Sequence, residues 1–327
     1  MSAAEPPMTE KSPALPHASP SASPDPSPRR SAGELLIVAL PYLWLIAFFV
    51  VPFLIVAKIS LSQTAIAQPP YTPVLDLAAG LDGLAAFVRE LSTSTYALLA
   101  SDDLYWLSYL KSLRVAVVST AILLVIGVPI AHAMARAPAR LQPLLVMLVM
   151  LPFWTAFLIR IYAWMTILQR DGLLNGLLHT LGLIDQPITW LATDTAVHIG
   201  IVYSYLPFMV LPLYASFQKL DESLIEAAAD LGCPRWKAFW LVMLPQVVPG
   251  IAAGSLLCLI PITGEFVIPD LLGGSDTMMI GQTLWSEFFA NKDWPVASAI
   301  AVVLLVLLVG PIAAYEALQS RAMDGRR

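Results

Sequence analysis

Long apolar runs constrain this chain more than any other feature. A helix that crosses the hydrocarbon core of a bilayer needs roughly 20 apolar residues, since each adds about 1.5 Å to a thickness of about 30 Å. Six segments reach that length: Leu35–Ala57, Val115–Ala135, Leu141–Leu168 (interrupted by Arg160), Thr195–Phe217, Leu244–Phe266 and Trp294–Tyr315. With 58% of residues hydrophobic and 13% charged, the chain lies far from the balance of soluble domains. The expected fold is therefore all-α: a polytopic membrane protein with six transmembrane helices. Pro41, Pro52, Pro129, Pro152, Pro207, Pro212, Pro249 and Pro261 fall inside the runs. They would break soluble helices, but in a bundle neighbouring helices satisfy the freed backbone groups.

The net charge of −5 carries little information, because in a membrane protein the placement of Lys and Arg decides orientation. Lys11, Arg29, Arg30, Arg136, Arg140, Lys219, Arg235, Lys237, Arg321, Arg326 and Arg327 fall on one side. Lys58, Arg89, Lys111, Arg114, Arg170 and Lys292 fall on the other, in longer loops. Both termini are expected in the cytoplasm (N-in/C-in), with 63–112, 169–194 and 273–293 external. Residues 1–32 are rich in Pro, Ser and Ala and read as a disordered cytoplasmic tail. The six-helix transmembrane domain is expected over 33–318 and a short cytoplasmic tail over 319–327. The first apolar stretch is long enough to span and is followed by no small-residue cleavage site, so it reads as an uncleaved helix. Cys233 and Cys258 are too far apart for a disulfide framework or zinc knuckle and read as inert. No pair among His17, His132, His179 and His198 has metal-ligand spacing, so no metal site is assigned.

The cytoplasmic segment 218–245 carries its own helix signals. Ser223 with Glu226 fits a capping box, and Gly232 followed by Pro234 fits a helix stop. Leu224, Ala227, Ala228 and Leu231 recur at the spacing of successive turns, and a second short helix is expected from Pro234 to Leu244. Periodicity alone is equally compatible with an amphipathic helix lying on the membrane. The residues Glu226, Ala227, Ala228, Gly232, Val242, Leu244 and Pro245, however, resemble the EAA loop of binding-protein-dependent ABC importer permeases. That resemblance implies the type I importer permease fold, with the loop docked into a cleft of a cytoplasmic ATPase dimer. It also implies a sister permease subunit, an external solute-binding protein, and no nucleic-acid partner. The chain has no Gly-x-x-x-x-Gly-Lys-Ser/Thr run, so ATP and Mg are expected on the ATPase subunit and this chain is not itself an enzyme.

Two further stretches, Leu151–Trp164 and Pro261–Gly274 with the downstream Trp285-Ser-Glu-Phe-Phe and Asp293-Trp-Pro, resemble the polyamine importer permeases, most closely the putrescine type. Charges within spans are costly and are functional candidates by default, which singles out Arg160 and Glu265. Glu265, followed by Asp270, can line a route and offer carboxylate to a dicationic amine, with Trp154, Tyr162 and Trp285 adding cation-π attraction. The alternative is a structural Arg160–Glu265 ion pair. Tyr42, Trp44, Trp190, Trp294 and Tyr315 read as an interfacial aromatic belt. Sister families carry iron, thiosulfate or phosphonates through the same class of permease, so the solute stays open at this stage. A secondary transporter is the competing class; it is disfavoured by the loop and by the lack of a convincing internal repeat.

Overall fold

The computed structural model describes residues 32–74 and 89–324. The expected N-terminal tail, residues 75–88 of the first long connection and the last three residues lie outside them. The chain divides into two compact units, Met1–Pro52 and Phe53–Arg327. In the first, α1 (Ala32–Leu45) runs on through a π-helical turn, Ile46–Val50, with Trp44 against Phe48 at 5.0 Å between ring centroids. α2 (Val51–Ser60) straddles the division and leads into the second unit.

A two-stranded antiparallel hairpin follows, β1 (Gln63–Thr64) with β2 (Tyr71–Thr72), in which Gln63 pairs Thr72 and Thr64 pairs Tyr71. Next come α3 (Ser94–Ser101) and the long α4 (Asp103–Arg136). α4 starts well before the expected Val115 because Asp102 caps it, accepting the Leu104 N–H at 2.9 Å. The added turns are also held by later parts of the chain. Tyr109 donates to the Ile300 carbonyl at 2.8 Å and Ser112 accepts the Ile280 N–H at 2.7 Å. Apolar length marks only the part of a helix that suits lipid, so it was blind to this extension.

The third apolar run is a broken one. α5 (Gln142–Met150) tightens into a 3-10 turn, Leu151–Trp154, before α6 (Phe157–Ile167) leaves at 87° to it. The interruption was expected at Arg160, but it falls at Thr155–Ala156. There Thr155 Oγ1 donates to the Pro152 carbonyl at 2.8 Å and closes the turn, while Ala156 takes an extended ψ of 137°. α7 (Leu173–Thr180) leads to α8 (Asp194–Gln218), whose N-cap Thr193 accepts from Ala196 N. α9 (Glu222–Asp230) and α10 (Arg235–Ala238) precede α11 (Leu244–Thr263).

The expected external segment 273–293 is not an open loop. It and the residues before it fold as α12 (Val267–Leu272), a 3-10 turn and α13 (Ile280–Trp285). Ile268, Leu272, Met279 and Ile280 are fully buried. α14 (Trp294–Asp324) closes the chain and runs through much of the expected C-terminal tail. Among the described residues, five helices are long and apolar enough to cross a membrane, and the bent α5–α6 pair is a sixth apolar run.

α4, α8 and α11 form the core, and they meet at Met209, which is fully buried. Gly127 of α4 and Gly254 of α11 approach it from two sides. A Cβ on Gly127 would stand 2.9 Å from Met209 Cγ, and one on Gly254 would stand 2.9 Å from its Sδ and 3.2 Å from its carbonyl oxygen. In lipid, helices gain little from hydrophobicity alone, so small residues that admit close packing set the joint. Gly254→Val should therefore overpack this crossing by about 1–3 kcal/mol and lower the thermal midpoint of the purified protein in detergent. Gly310→Ala, with open space around it, should leave the midpoint unchanged.

Candidate coupling loop and route residues

The segment between α8 and α11 is a helical hairpin. Its first helix, α9, is capped by Asp221, whose Oδ1 accepts the Ser223 N–H at 3.0 Å. The expected capping box of Ser223 with Glu226 is displaced by this residue, since Asp is as good an N-cap as Ser and its charge suits the helix N-terminus. Hydrogen bonds from Ser223 hold the Asp221 carboxyl below the usual carboxylate range. The stop is where the sequence puts it. Gly232 has a φ of +75°, its N–H reaches the Ala229 carbonyl at 2.9 Å, and Cys233 N–H reaches the Ala228 carbonyl at 2.9 Å. This is a Schellman ending, which needs a residue at ease in the left-handed region.

Pro234 then opens α10, its carbonyl accepting from Lys237 N at 2.9 Å and Ala238 N at 3.0 Å. The expected helix Pro234–Leu244 does not end at Leu244. It passes through a π-helical turn, Phe239–Met243, directly into α11. Pro245 has no N–H for the Leu241 carbonyl, and the wider turn answers this: Leu244 N–H bonds five residues back to Phe239, and Gln246 Nε2 bonds to the Val242 carbonyl at 2.9 Å.

The expected single face of α9 is split. Ile225 and Ala228 are half-buried toward the bundle, whereas Leu224, Ala227 and Leu231 are exposed, Leu231 by 88%. With Trp236 at 65%, they leave apolar surface exposed on the hairpin, of the kind that meets a protein partner or a membrane. Glu226 is exposed and lines a cavity of about 460 Å³ with His132, Arg136, Cys233 and Phe239.

At the other end of α11, Gly264 ends the helix and Glu265 turns back. One carboxylate oxygen accepts the Tyr205 hydroxyl at 2.6 Å, and the other faces the N–H groups of Val267 at 3.1 Å and Ile268 at 3.4 Å. Glu265 thus caps α12 while attached to the middle of α8. Beside it Phe266 stacks on Trp285 at 4.8 Å and 11° between ring planes. Rings continue from there: Trp285 to Phe289 at 4.1 Å, Phe289 to Phe288 at 4.9 Å, Phe288 to Trp294 at 5.3 Å and Trp294 to Tyr71 at 6.2 Å. Lys58 lies 4.4 Å over the Tyr71 ring, which places a cation at the far end of the series. Trp285 and Phe289 are about half exposed.

The Arg160–Glu265 ion pair does not form. Arg160 is 8% exposed, lies over Phe153 at 5.0 Å and Phe157 at 5.6 Å, and its Nε and Nη1 have no hydrogen-bond partner among the described residues. Glu265 is engaged instead with Tyr205 and the α12 amides. Trp154 and Tyr162 are exposed and make no described ring contact with the Phe266–Trp285 stack, and Asp270 is exposed on α12. Of the expected route residues, the fold therefore brings Glu265 and Trp285 together and leaves the rest apart. Tyr205 escaped sequence reading, and Phe266, Phe288 and Phe289 entered it only as members of the stretches that resemble polyamine permeases. A lone tyrosine inside an apolar run gives a weak signal, and Trp294 reads as a belt residue until its ring partners are seen.

A bundle of membrane-length helices, interrupted between α8 and α11 by a helical hairpin with an outward apolar patch, is the plan of an importer permease. Residues 123–322 match the family described as binding-protein-dependent transport system inner membrane component. The chain is 39% identical over 282 residues to the spermidine/putrescine transport system permease protein PotB of Haemophilus influenzae, covering 86% of this chain and 92% of that one. It is 42% identical over 224 residues to the PotB protein of Escherichia coli K12, covering 68% and 82%. In fold it is similar to a chain of a bacterial ABC transporter involved in the import of the acidic polysaccharide alginate, at a TM-score of 0.61 and 17% identity over 87% of this chain and 96% of that one. The chain belongs to the binding-protein-dependent inner-membrane permease family. It is a multi-pass transport subunit of the inner membrane.

The Gly232 turn makes a sharp test of the hairpin. A valine there must enter the left-handed region, at roughly 1–2 kcal/mol, whereas asparagine tolerates it. Trypsin cleavage at Lys219 and Lys237 should accelerate in Gly232→Val and stay near the unmodified rate in Gly232→Asn.

Proposed function

We propose that this protein is the permease subunit of an ATP-driven polyamine importer, passing putrescine or spermidine delivered by an external binding protein. The observation that carries the solute is the match to nearly the whole length of a spermidine/putrescine permease. A buried-edge carboxylate, Glu265, beside a run of aromatic faces suits a flexible organic cation, which gains from both charge and cation-π attraction.

The permease crosses the membrane six times over 33–318, with both termini in the cytoplasm and tails at 1–32 and 319–327. The sixth crossing is supported by helix direction. α4 and α8 lie parallel: Lys111 in the third turn of α4 pairs with Asp194 in the first turn of α8 at 2.7 Å, and His132 meets Phe217 at 5.2 Å near their last turns. The chain between them must return from one end to the other, and the bent α5–α6 pair is the apolar run available to do so. The Lys and Arg distribution puts the hairpin end in the cytoplasm.

The hairpin docks into a cleft of a cytoplasmic ATPase dimer, which binds ATP and Mg; a sister permease completes the route, and an external solute-binding protein delivers the cargo. Glu226, Ala227, Ala228, Gly232, Leu244 and Pro245 shape this coupling element. Glu265 and Trp285 line the route. The test is uptake of radiolabelled putrescine and spermidine by cells lacking their own polyamine importers and expressing the assembled complex. Saturable uptake is expected, with Glu226→Lys or Gly232→Trp abolishing it while membrane insertion persists, and Glu265→Gln lowering it by tenfold or so, the scale of one lost charge contact. An assembled, ATP-hydrolysing complex that takes up no polyamine would overturn the solute; full uptake in the hairpin variants would overturn the coupling role.

A further inference from the structure

The coupling hairpin joins the bundle through two roots, Phe217 in the last turn of α8 and Phe239 at the start of the π-helical turn before α11. One ring touches both. His132, one turn before the end of α4, meets Phe217 edge-on at 5.2 Å and 61°, and meets Phe239 edge-on at 5.7 Å and 75°. The ring also borders two cavities. On one side lies the cavity of about 460 Å³ that runs under α9, and on the other a cavity of about 520 Å³ lined by Gln142, Gln218 and Lys219. A polar tie near this point serves the α8 root: Gln142 accepts from Gln218 Nε2 at 3.0 Å and donates to the Ala135 carbonyl at 3.1 Å, linking the end of α4 to α8.

We propose that His132 is the positioning residue that clasps both roots of the coupling hairpin, so that movement of the hairpin is delivered to α4. The proposal rests on the hairpin's reading as the ATPase-coupling element. Three features support it. The ring sits between the roots rather than on one of them. The π-helical turn, which arises from Pro245, aims Phe239 at the ring. The imidazole is held by shape and not by polar anchoring, because its Nδ1 is buried without a hydrogen-bond partner among the described residues. Edge-to-face aromatic pairs favour a particular mutual angle, so two such contacts resist rotation of one root against the other. A packed contact with open space on either side can move as a unit, whereas a filled interface would jam.

This gives an unusual substitution rule. Phenylalanine at 132 should preserve the clasp, because the ring and its edges are what matter, while glutamine, similar in bulk and polar like histidine, should lose it. The experiment uses the complete complex purified with its ATPase subunits, in the wild-type, His132→Phe and His132→Gln forms. Three quantities are read: ATPase subunit retained on purification, putrescine transported per ATP hydrolysed, and the rate at which a maleimide labels Cys233, which lies in the hairpin turn and lines the cavity with His132. Cys258 is buried and does not interfere. The proposal expects all three forms to retain the ATPase. His132→Gln should lose at least about fivefold in transport per ATP, the lower end of coupling between distant sites, and should label faster at Cys233. His132→Phe should match wild type in both.

Equal transport ratios and labelling in Gln and wild type, or a Phe form as impaired as the Gln form, would overturn it. Loss of the ATPase from His132→Gln alone would overturn it as well, since the ring would then be serving assembly. If wild type itself holds no ATPase, the hairpin's coupling role fails instead. If wild type holds it but moves no putrescine, the solute assignment fails, and Cys233 labelling still decides the clasp.

Discussion

The close approach of three helices at Met209 is the contact on which the rest of the molecule depends. Gly127 and Gly254 let α4 and α11 come within van der Waals distance of a side chain and backbone that any larger residue would push away. The pattern recurs along the same helix pair. Gly250 of α11 lies tight against Ser216 and the Pro212 carbonyl of α8, and Cys258 Sγ faces the Tyr205 carbonyl at 3.7 Å. α8 and α11 are therefore packed from the roots of the hairpin to the level of Glu265. A side chain larger than hydrogen at any of these glycines would wedge them apart.

Two functional features hang from the two ends of this pair. The hairpin grows from the last turn of α8 and the first turn of α11, and Glu265 follows the last turn of α11 and is tied to α8 through Tyr205. The short helices after Glu265 are seated on the same support: Gly200 of α8 has no room for a Cβ against Leu272 and Ile268 of α12. A displacement at the hairpin would meet this packed pair before reaching the carboxylate and its aromatic neighbours. α4 is the third member, joined at Met209 in its middle, at His132 near one end and at Lys111–Asp194 near the other. Such an assembly suits the proposed passage of motion from the hairpin to the Glu265 region.

Much of this plan was legible in the sequence, and the parts that were not share a cause. Apolar length located the helices, and the Gly232-Cys233-Pro234 stop located the hairpin, because both follow from local rules that tertiary contacts do not override. Pattern reading placed helix ends poorly. α4 reaches back to Asp103 through hydrogen bonds to residues far along the chain, and the break in the third apolar run comes from Thr155 closing a turn on Pro152 rather than from the charge at Arg160. Charge alone also left an Arg160–Glu265 ion pair open as the alternative to route lining, where the fold gives Glu265 to a tyrosine and two amides. The aromatic series from Phe266 to Tyr71 joins residues nearly two hundred positions apart, which no local periodicity can register.

The packing of α8 against α11 predicts one rigid element between the hairpin and the Glu265 region, a behaviour that the glycine contacts impose. It is tested most directly by pulsed electron spin measurements on the assembled complex carrying Cys258→Ala, with spin labels on native Cys233 in the hairpin and on Ser275→Cys beyond α12. The account predicts the same label-to-label distance within this chain in the nucleotide-free and ATP-trapped states. A change larger than one helical turn, about 5 Å, would contradict it and place a hinge inside the pair.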